Sequence, residues 1–539
     1  MIQYFLGLDC STQSLTGIII DYNSRRVILK YVVNYDADLN HYHTTNGAYF
    51  SRDGKIVHSD PLMWVEALET LILNLTKNVD IKKIKCISGS GQQHGTVYLN
   101  EKFSKRLNKL DSKLSLAIQL KDVFSRKTSP IWMDSSTETQ CQEIRENLGG
   151  KEEIIKLTGS NTFERFSGPQ IRKFYQTEPQ KYRDTRIIHL VSSFLASLFI
   201  GKNSPIDHGD GAGMNLMNIT NKEWDQRVLD ATAPGLKEKL PPLSSPNTII
   251  GEISRYFVHK FGFLKGTKIA AFSGDNPNSL IGVGITSPGK AAISLGTSDT
   301  FFGYLEKLSL DMTGEGNVFG APTGDYMSLI CFKNGSLARE KIKDLLNLSW
   351  EQFSEILKSS PPGNYGKIML PYFYPEIVPL VLNPHVSRFG FDENDVEGNV
   401  RAIIEAQFLS MRLHSRWMGK MPLEIHATGG ASANQEILQV AANIFNAKIS
   451  IFDITESASL GAAIRAIKSS FDELGASLTW KELIETILVK KYILYPQNST
   501  KELYDDMISL YHQYEDYMLH NKENPEKCRL NFVHKYFPQ

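Results

Sequence analysis

The chain has 539 residues, of which 41% are hydrophobic and 22% charged, with 59 basic and 59 acidic side chains. That length exceeds what a single hydrophobic core supports, so two or more domains are expected. A net charge of zero gives no general attraction for nucleic acid or an anionic membrane, which leaves small molecules as the expected partners. Five scattered cysteines without a CxxC pair argue against a disulfide framework or a zinc cluster and suit a reducing compartment.

In chain order, no basic segment precedes an apolar run at the N-terminus, and Asp9 interrupts the only candidate. A cleaved signal is therefore not expected, and the cytoplasm is the expected location. Tyr4 to Leu8 and Leu15 to Ile20 read as the strands of a hairpin whose polar turn is Asp9-Cys10-Ser11-Thr12-Gln13-Ser14. Asp60 to Leu75 reads as a helix. Ile84 to Ser88 reads as a strand leading into Gly89-Ser90-Gly91-Gln92-Gln93-His94-Gly95. Asn100 to Pro130, rich in Lys and Ser, reads as a surface insertion. The apolar run Leu190 to Ile200 is about half the ~20 residues of a membrane span and reads as a buried helix.

Ile269 to Phe272 is a further strand, ending at Ser273-Gly274-Asp275-Asn276-Pro277. The opening hairpin then recurs: Ala291 to Leu295, the turn Gly296-Thr297-Ser298-Asp299-Thr300, and Phe301 to Tyr304. Two such hairpins far apart suggest a duplicated domain. Next come a helix with Val400, Ile404, Phe408 and Met411 on one face, a strand Leu423 to Ala427, and a glycine-rich turn. A helix with Ile437, Val440, Ala441 and Ile444 inward follows, then a strand Lys448 to Phe452. Leu503, Met507, Leu510, Tyr514 and Met518 recur at helical spacing and read as a packing face. Strands alternating with helices predict an α/β architecture of two halves with a cleft between them.

Phosphoryl transfer needs backbone donors near the phosphates, a carboxylate for Mg²⁺ and an aligned acceptor hydroxyl. The first hairpin turn offers Asp9 at a strand end, with Ser11 and Thr12 around a tight bend, and Gly296, Thr297 and Ser298 offer a matching turn. Ala427 to Asn434 (ATGGASAN) joins a strand to a helix, where paired glycines allow close backbone approach and the helix start favours anions. Gln92, Gln93 and His94 place two amides and an imidazole on one loop suited to sugar hydroxyls. Asp275 at a strand end can act as a base, or equally cap a helix. Asp134 follows a short apolar run and is uninformative alone. Gly284 to Lys290 spells GxxxxGK but continues with Ala291 into a strand, and no HRD or DFG set is present, so P-loop and protein-kinase readings fail.

In order, GLDCSTQS, SGSGQQHGTVY, WMDSST, LTGSNTFERFSGPQI, SPIDHGDGAGMNL, FSGDNP, SLGTSDT, CFKNGSLAREKI and ATGGASANQEILQVAANIF resemble the FGGY carbohydrate kinases, from about Gly7 to about residue 470. The resemblance implies two actin-like (ribonuclease-H-like) ATPase domains with ATP and sugar in the cleft between them. The expected extents are residues 1–288, 289–480 and a helical extension 481–539. It implies Asp275 as the catalytic base and Asn276, His94, Arg165, Gln93 and Asp134 as sugar contacts. Asp9 would organise Mg²⁺, with Ser11, Thr12, Gly296, Thr297 and Ser298 near the phosphates, and Trp350, Gly430, Ala431 and Asn434 at the nucleotide. The implied reaction is phosphorylation of a ketopentose, D-xylulose, by ATP. Ribulose, another ketose or glycerol are alternative acceptors, and a chaperone-like ATPase is a rival from another class. The resemblance leaves the oligomeric state open.

Overall fold

A computed structural model describes residues 3–454 and 456–538. The chain forms two compact units, each discontinuous in sequence: residues 1–286, 318–327 and 454–488 make one, and residues 287–317, 328–453 and 489–539 the other. A contiguous division at 288 and 480 was expected. The difference arises because the helix Ser457–Glu473 packs on the first unit's central strands. A Cβ on Gly7 would lie 2.1 Å from the Ser459 carbonyl oxygen, and one on Gly461 would lie 1.8 Å from that of Asn278. Only glycine permits backbones to approach this closely.

In the first unit the sheet runs, in space, Ile249–Glu252, Lys268–Ala270, Ile84–Gly91, Tyr4–Cys10, Ser14–Asp21 and Arg26–Asn34, with Ser273–Gly274 added beside Ile84–Gly91. Tyr4–Cys10 pairs antiparallel with Ser14–Asp21 and parallel with Ile84–Gly91, which pairs parallel with Lys268–Ala270. An antiparallel strand, Ile249–Glu252, closes the edge. Tyr4–Cys10 is covered on both faces, so its apolar residues run continuously rather than alternating. The helix Pro61–Asn78, capped by Asp60 through the Leu62 N–H, lies against Gly17 through Leu71. The run expected to be a buried helix is Val191–Ile200, with every residue buried.

The second unit repeats this pairing order. Lys290–Leu295 is antiparallel to Asp299–Leu305 and parallel to Glu424–Thr428. Glu424–Thr428 is parallel to Lys448–Phe452, which is antiparallel to the edge strand Lys490–Leu494. The duplication suggested by two turns is thus visible in the topology. The expected inward stripes of Val396–His414, Gln435–Phe445 and Lys501–His520 all join one core.

Two segments differ from expectation. Residues 100–130 are not a surface insertion: Phe103, Leu107, Leu116, Leu120 and Val123 are buried in the first core, and Ser129–Pro130 pairs with Val57–Ser59. The C-terminal segment is more than a helical extension, because it supplies both the edge strand Lys490–Leu494 and core residues Met507, Leu510 and Tyr514. Among the described residues no helix is long and apolar enough to cross a membrane.

Candidate active site

The first unit gathers most of the polar residues singled out in the sequence. Ile84–Gly91 continues as a strand through the glycines, because a Cβ at Gly89 would lie 2.2 Å from the Phe272 ring. This sets Asp9 beside Ser90 in the ladder and lets Gln92 N–H donate to the Cys10 carbonyl at 2.8 Å. Asp275 is the first residue of the helix Asp275–Gly282, and Gly274, not Asp275, is its N-cap. Three donors converge on Asp275 Oδ1: the backbone N–H of Asn276 (2.9 Å), that of Gln93 (3.3 Å) and Asn276 Nδ2 (3.1 Å). Oδ2 takes none of them. Burial lifts Asp275 to about 6 despite these donors, a value suited to a base at neutral pH.

His94 sits at φ +73 and is almost wholly buried. Its Nδ1 lies 2.7 Å from the Gly213 carbonyl oxygen, which can only accept, so Nδ1 carries the proton. Burial and the nearby Arg165 charge lower His94 to about 3, so the ring is neutral and Nε2 is an acceptor. Arg165 lies over Phe163 and Phe166, 5.2 and 5.8 Å from the ring centroids. Asn276 Nδ2 also donates to Gln93 Oε1 at 2.7 Å, which leaves Asn276 Oδ1 as the amide's acceptor. Gln93 itself is 2% exposed and stands behind Asn276. Asp134 does not offer a free carboxylate: it accepts from Val57 N–H (3.0 Å), Gln170 Nε2 (2.8 Å), and both Ser136 N–H (3.0 Å) and Oγ (2.5 Å). Its place is that of a buried fastener.

At the first turn, Ser11 N–H and Oγ both donate to the Ser14 carbonyl, and Thr12 Oγ1 donates to Gln92 Oε1 while accepting from Trp132 Nε1. These hydroxyls hold the turn's shape. Asp9 Oδ1 is buried with no hydrogen-bond donor among the described residues. Burial, then the Asp275 charge, raises Asp9 to about 7. Two carboxylates that repel one another around an orphaned oxygen fit a divalent cation, which takes one or two carboxylates together with phosphate oxygens and water.

The second unit brings together Trp350, Gly430, Ala431 and Asn434 on one cavity of about 660 Å³, also lined by Arg339 and Ser354. Asn434 caps the helix Gln435–Phe445 through the Glu436 and Ile437 N–H groups, and its Nδ2 donates to Ser354 Oγ at 2.7 Å. Trp350 is 40% exposed at the start of the helix Trp350–Ser359, held by the Ser349/Gln352 capping box. Gly429, at φ +86, presses against Leu295, the last residue before the turn Gly296-Thr297-Ser298. Thr297 and Ser298 are exposed. Behind that turn, buried Asp299 receives a two-pronged guanidinium, Arg339 Nη1 at 2.6 Å and Nη2 at 2.9 Å. Burial raises the Asp299 carboxyl although Arg339 opposes it.

Comparison with known proteins decides the family. The sequence model of the FGGY family of carbohydrate kinases, N-terminal domain, matches residues 127–282, and that of the C-terminal domain matches residues 291–470. Xylulose kinase 2 of Arabidopsis thaliana is 45% identical over 485 residues, 86% of either chain. Xylulose kinase of Rattus norvegicus is 40% identical over 532 residues, 96% of this chain and 98% of the relative. The chain belongs to the FGGY family of carbohydrate kinases. Its two-domain FGGY fold is shared with a ligand-bound xylulose kinase from Lactobacillus acidophilus (TM-score 0.80, 21% identity, 96% and 98% of the chains). Gluconate kinase from the same organism matches equally well (TM-score 0.81, 21% identity, 96% and 98%).

Several groups that contact the candidate site residues were not singled out from the sequence. Gly213, whose carbonyl fixes the His94 tautomer, is a backbone group and leaves no side-chain signal. Arg339 and Ser336 lie in the CFKNGSLAREKI segment, where the NG pair before a helical pattern marks a turn, yet nothing in the spacing tied that turn to Asp299.

Proposed function

We propose that this FGGY kinase transfers the γ-phosphoryl group of ATP to D-xylulose, giving D-xylulose 5-phosphate and ADP. In this reading Asp275 Oδ2 accepts the proton of the reacting hydroxyl as its oxygen bonds to the γ-phosphorus and the bond to the β-phosphate oxygen breaks. A carboxylate near 6 is ionised at neutral pH, and a largely dissociative transfer asks little more of its base. Asp9 would hold Mg²⁺, which neutralises charge on the phosphates when bound.

The observation that carries the reading is the polarity of the receptor around Asp275. His94 Nε2, Asn276 Oδ1 and Asp275 Oδ2 are all acceptors, and Arg165 has no hydrogen bond or ion pair among the described residues. Several acceptors beside one cationic donor suit a polyhydroxylated acceptor bearing a carbonyl oxygen. The 660 Å³ cavity with Trp350 on its wall suits a nucleoside. The choice of D-xylulose is supported by relatives of that name at 40–45% identity.

The test is a coupled ADP-release screen over pentuloses, hexuloses and glycerol at fixed ATP and Mg²⁺. D-Xylulose should give the highest kcat/KM. ATP hydrolysis that no sugar accelerates would overturn the assignment in favour of a nucleotide switch.

A further inference from the structure

Arg465 lies on the helix Ser457–Glu473, away from every turn assigned to substrate, and is fully buried. Its guanidinium reaches two ways. Nη1 donates to Asn278 Oδ1 at 2.8 Å; Nη2 donates to Asp207 Oδ2 at 3.1 Å and to the Pro246 carbonyl. Because Asn278 Oδ1 is taken by a donor, the amide's orientation is fixed, and Nδ2 donates to the carbonyls of Gly274 and Gly89, each at 3.1 Å. Asp207 Oδ1 in turn accepts from Ser273 Oγ at 2.9 Å. The two arms therefore grip residues 273 and 274, which immediately precede Asp275.

The Asp207 arm continues further. Asp207 caps the short helix His208–Gly213 through the Asp210 N–H (2.9 Å), and the last residue of that helix supplies the carbonyl that orients His94. The same helix is seated against the loop it serves. A Cβ on Gly213 would lie 2.7 Å from Gln93 Nε2, and one on Gly274 would lie 2.6 Å from Gln93 Cγ. One buried cation thus connects the backbone ahead of the base to the tautomer of the sugar-facing imidazole. A lysine has no planar fork with which to serve Asn278 and Asp207 together. An ion pair this deeply buried is not favoured for stability alone, since apolar replacements of equal volume are often as stable.

We propose that Arg465, acting through Asp207 and Asn278, is a positioning residue of the kinase reaction that holds Asp275 and His94 in one fixed relation. The inference rests on the functional reading above. A misplacement of ~1 Å far from the chemistry costs roughly 100-fold in rate, so the effect belongs in kcat and in the sugar KM, and not in the ATP KM.

The experiment compares steady-state kinetics and melting midpoints of the unaltered chain with Arg465→Gln, Arg465→Lys and Ser273→Ala, using D-xylulose and ATP. Expected are a tenfold or greater loss of kcat with a raised xylulose KM in Arg465→Gln, and partial recovery in Arg465→Lys. Ser273→Ala should lose kcat several-fold at an unchanged melting midpoint, and the ATP KM should stay within twofold throughout. If Arg465→Gln does not fold, the other two variants decide. Folded variants with unaltered kcat and xylulose KM, or with all parameters falling together, would overturn the positioning role. An unaltered chain that phosphorylates no sugar would instead sink the functional reading, a result visible before any variant is made.

Discussion

Replacing Asp275 with Asn should abolish turnover and, at the same time, make the first unit more stable above neutral pH. Asparagine keeps a carbonyl oxygen where Asp275 Oδ1 accepts from Gln93, from the Asn276 backbone and from its side chain, but it cannot take a proton. The charge it removes is a cost to the fold. Burial lifts Asp275 from 3.8 to about 6, so the folded state holds the proton more tightly than the unfolded chain. Stability contributed by the neutral form is then lost as pH rises through the window from about 4 to about 6. At 1.36 kcal/mol per pH unit the full cost is about 3 kcal/mol, and partial solvent access brings the expected gain to about 1–3 kcal/mol. The assay is thermal or urea unfolding of both proteins at pH 8 and near pH 4, beside xylulose phosphorylation at pH 8. The variant should melt higher at pH 8 and alike near pH 4, with turnover reduced by 10²-fold or more. Retained turnover, or a variant less stable at pH 8, would refute both the burial argument and the assigned base.

Three further outcomes follow from the geometry. Trp350→Ala should raise the ATP KM by about 5- to 150-fold, the ~1–3 kcal/mol of a base stacked on an aromatic face, while the xylulose KM stays put; equal effects on both would remove Trp350 from the nucleotide site. Gly429→Ala, at φ +86 with its new methyl 2.5 Å from the Leu295 carbonyl oxygen, should destabilise the second unit, whereas Gly430→Ala, with open space around it, should fold normally and lose only nucleotide affinity in a binding titration. His414 would be lowered by burial, but hydrogen bonds to Glu315 and Glu515 outweigh this and raise it to about 10. Its contribution is complete below the unfolded value of 6.5 and fades as pH rises towards about 10, so hydrogen-exchange protection factors in the helix Lys501–His520, taken relative to the unfolded chain at each pH, should fall across that window.

Much of the fold was legible in the sequence because its signals are local. The hairpins, the strand Lys448–Phe452 and the stripes of the helices Val396–His414 and Gln435–Phe445 follow from periodicity over a few residues. What could not be read depends on partners distant in sequence. Nothing in Ser457–Glu473 says which of two similar sheets it will cover, and the closeness of Gly461 to Asn278 is visible only in three dimensions. Among the candidate site residues, the structure leaves His94 Nε2 and Asp275 Oδ2 as acceptors, whereas Asp134 and Gln93 Oε1 are engaged by neighbours. Those two look identical to ligand-facing groups in sequence, yet an Asp134 oxygen and Gln93 Oε1 accept hydrogen bonds from neighbours. Residues 100–130 misled because their lysines are obvious and their five core side chains are spread among them.

The order in which the chain closes on itself has a consequence for its synthesis. The first sheet has all its strands once residue 274 has been made, but the helix that covers Gly7 and tethers Asp207 starts at Ser457. At ~5–20 residues per second a ribosome needs roughly 10–40 s to cross that gap. For that interval the nascent chain holds the strands that precede Asp275, with one apolar flank still open to water, waiting for a helix translated almost two hundred residues later.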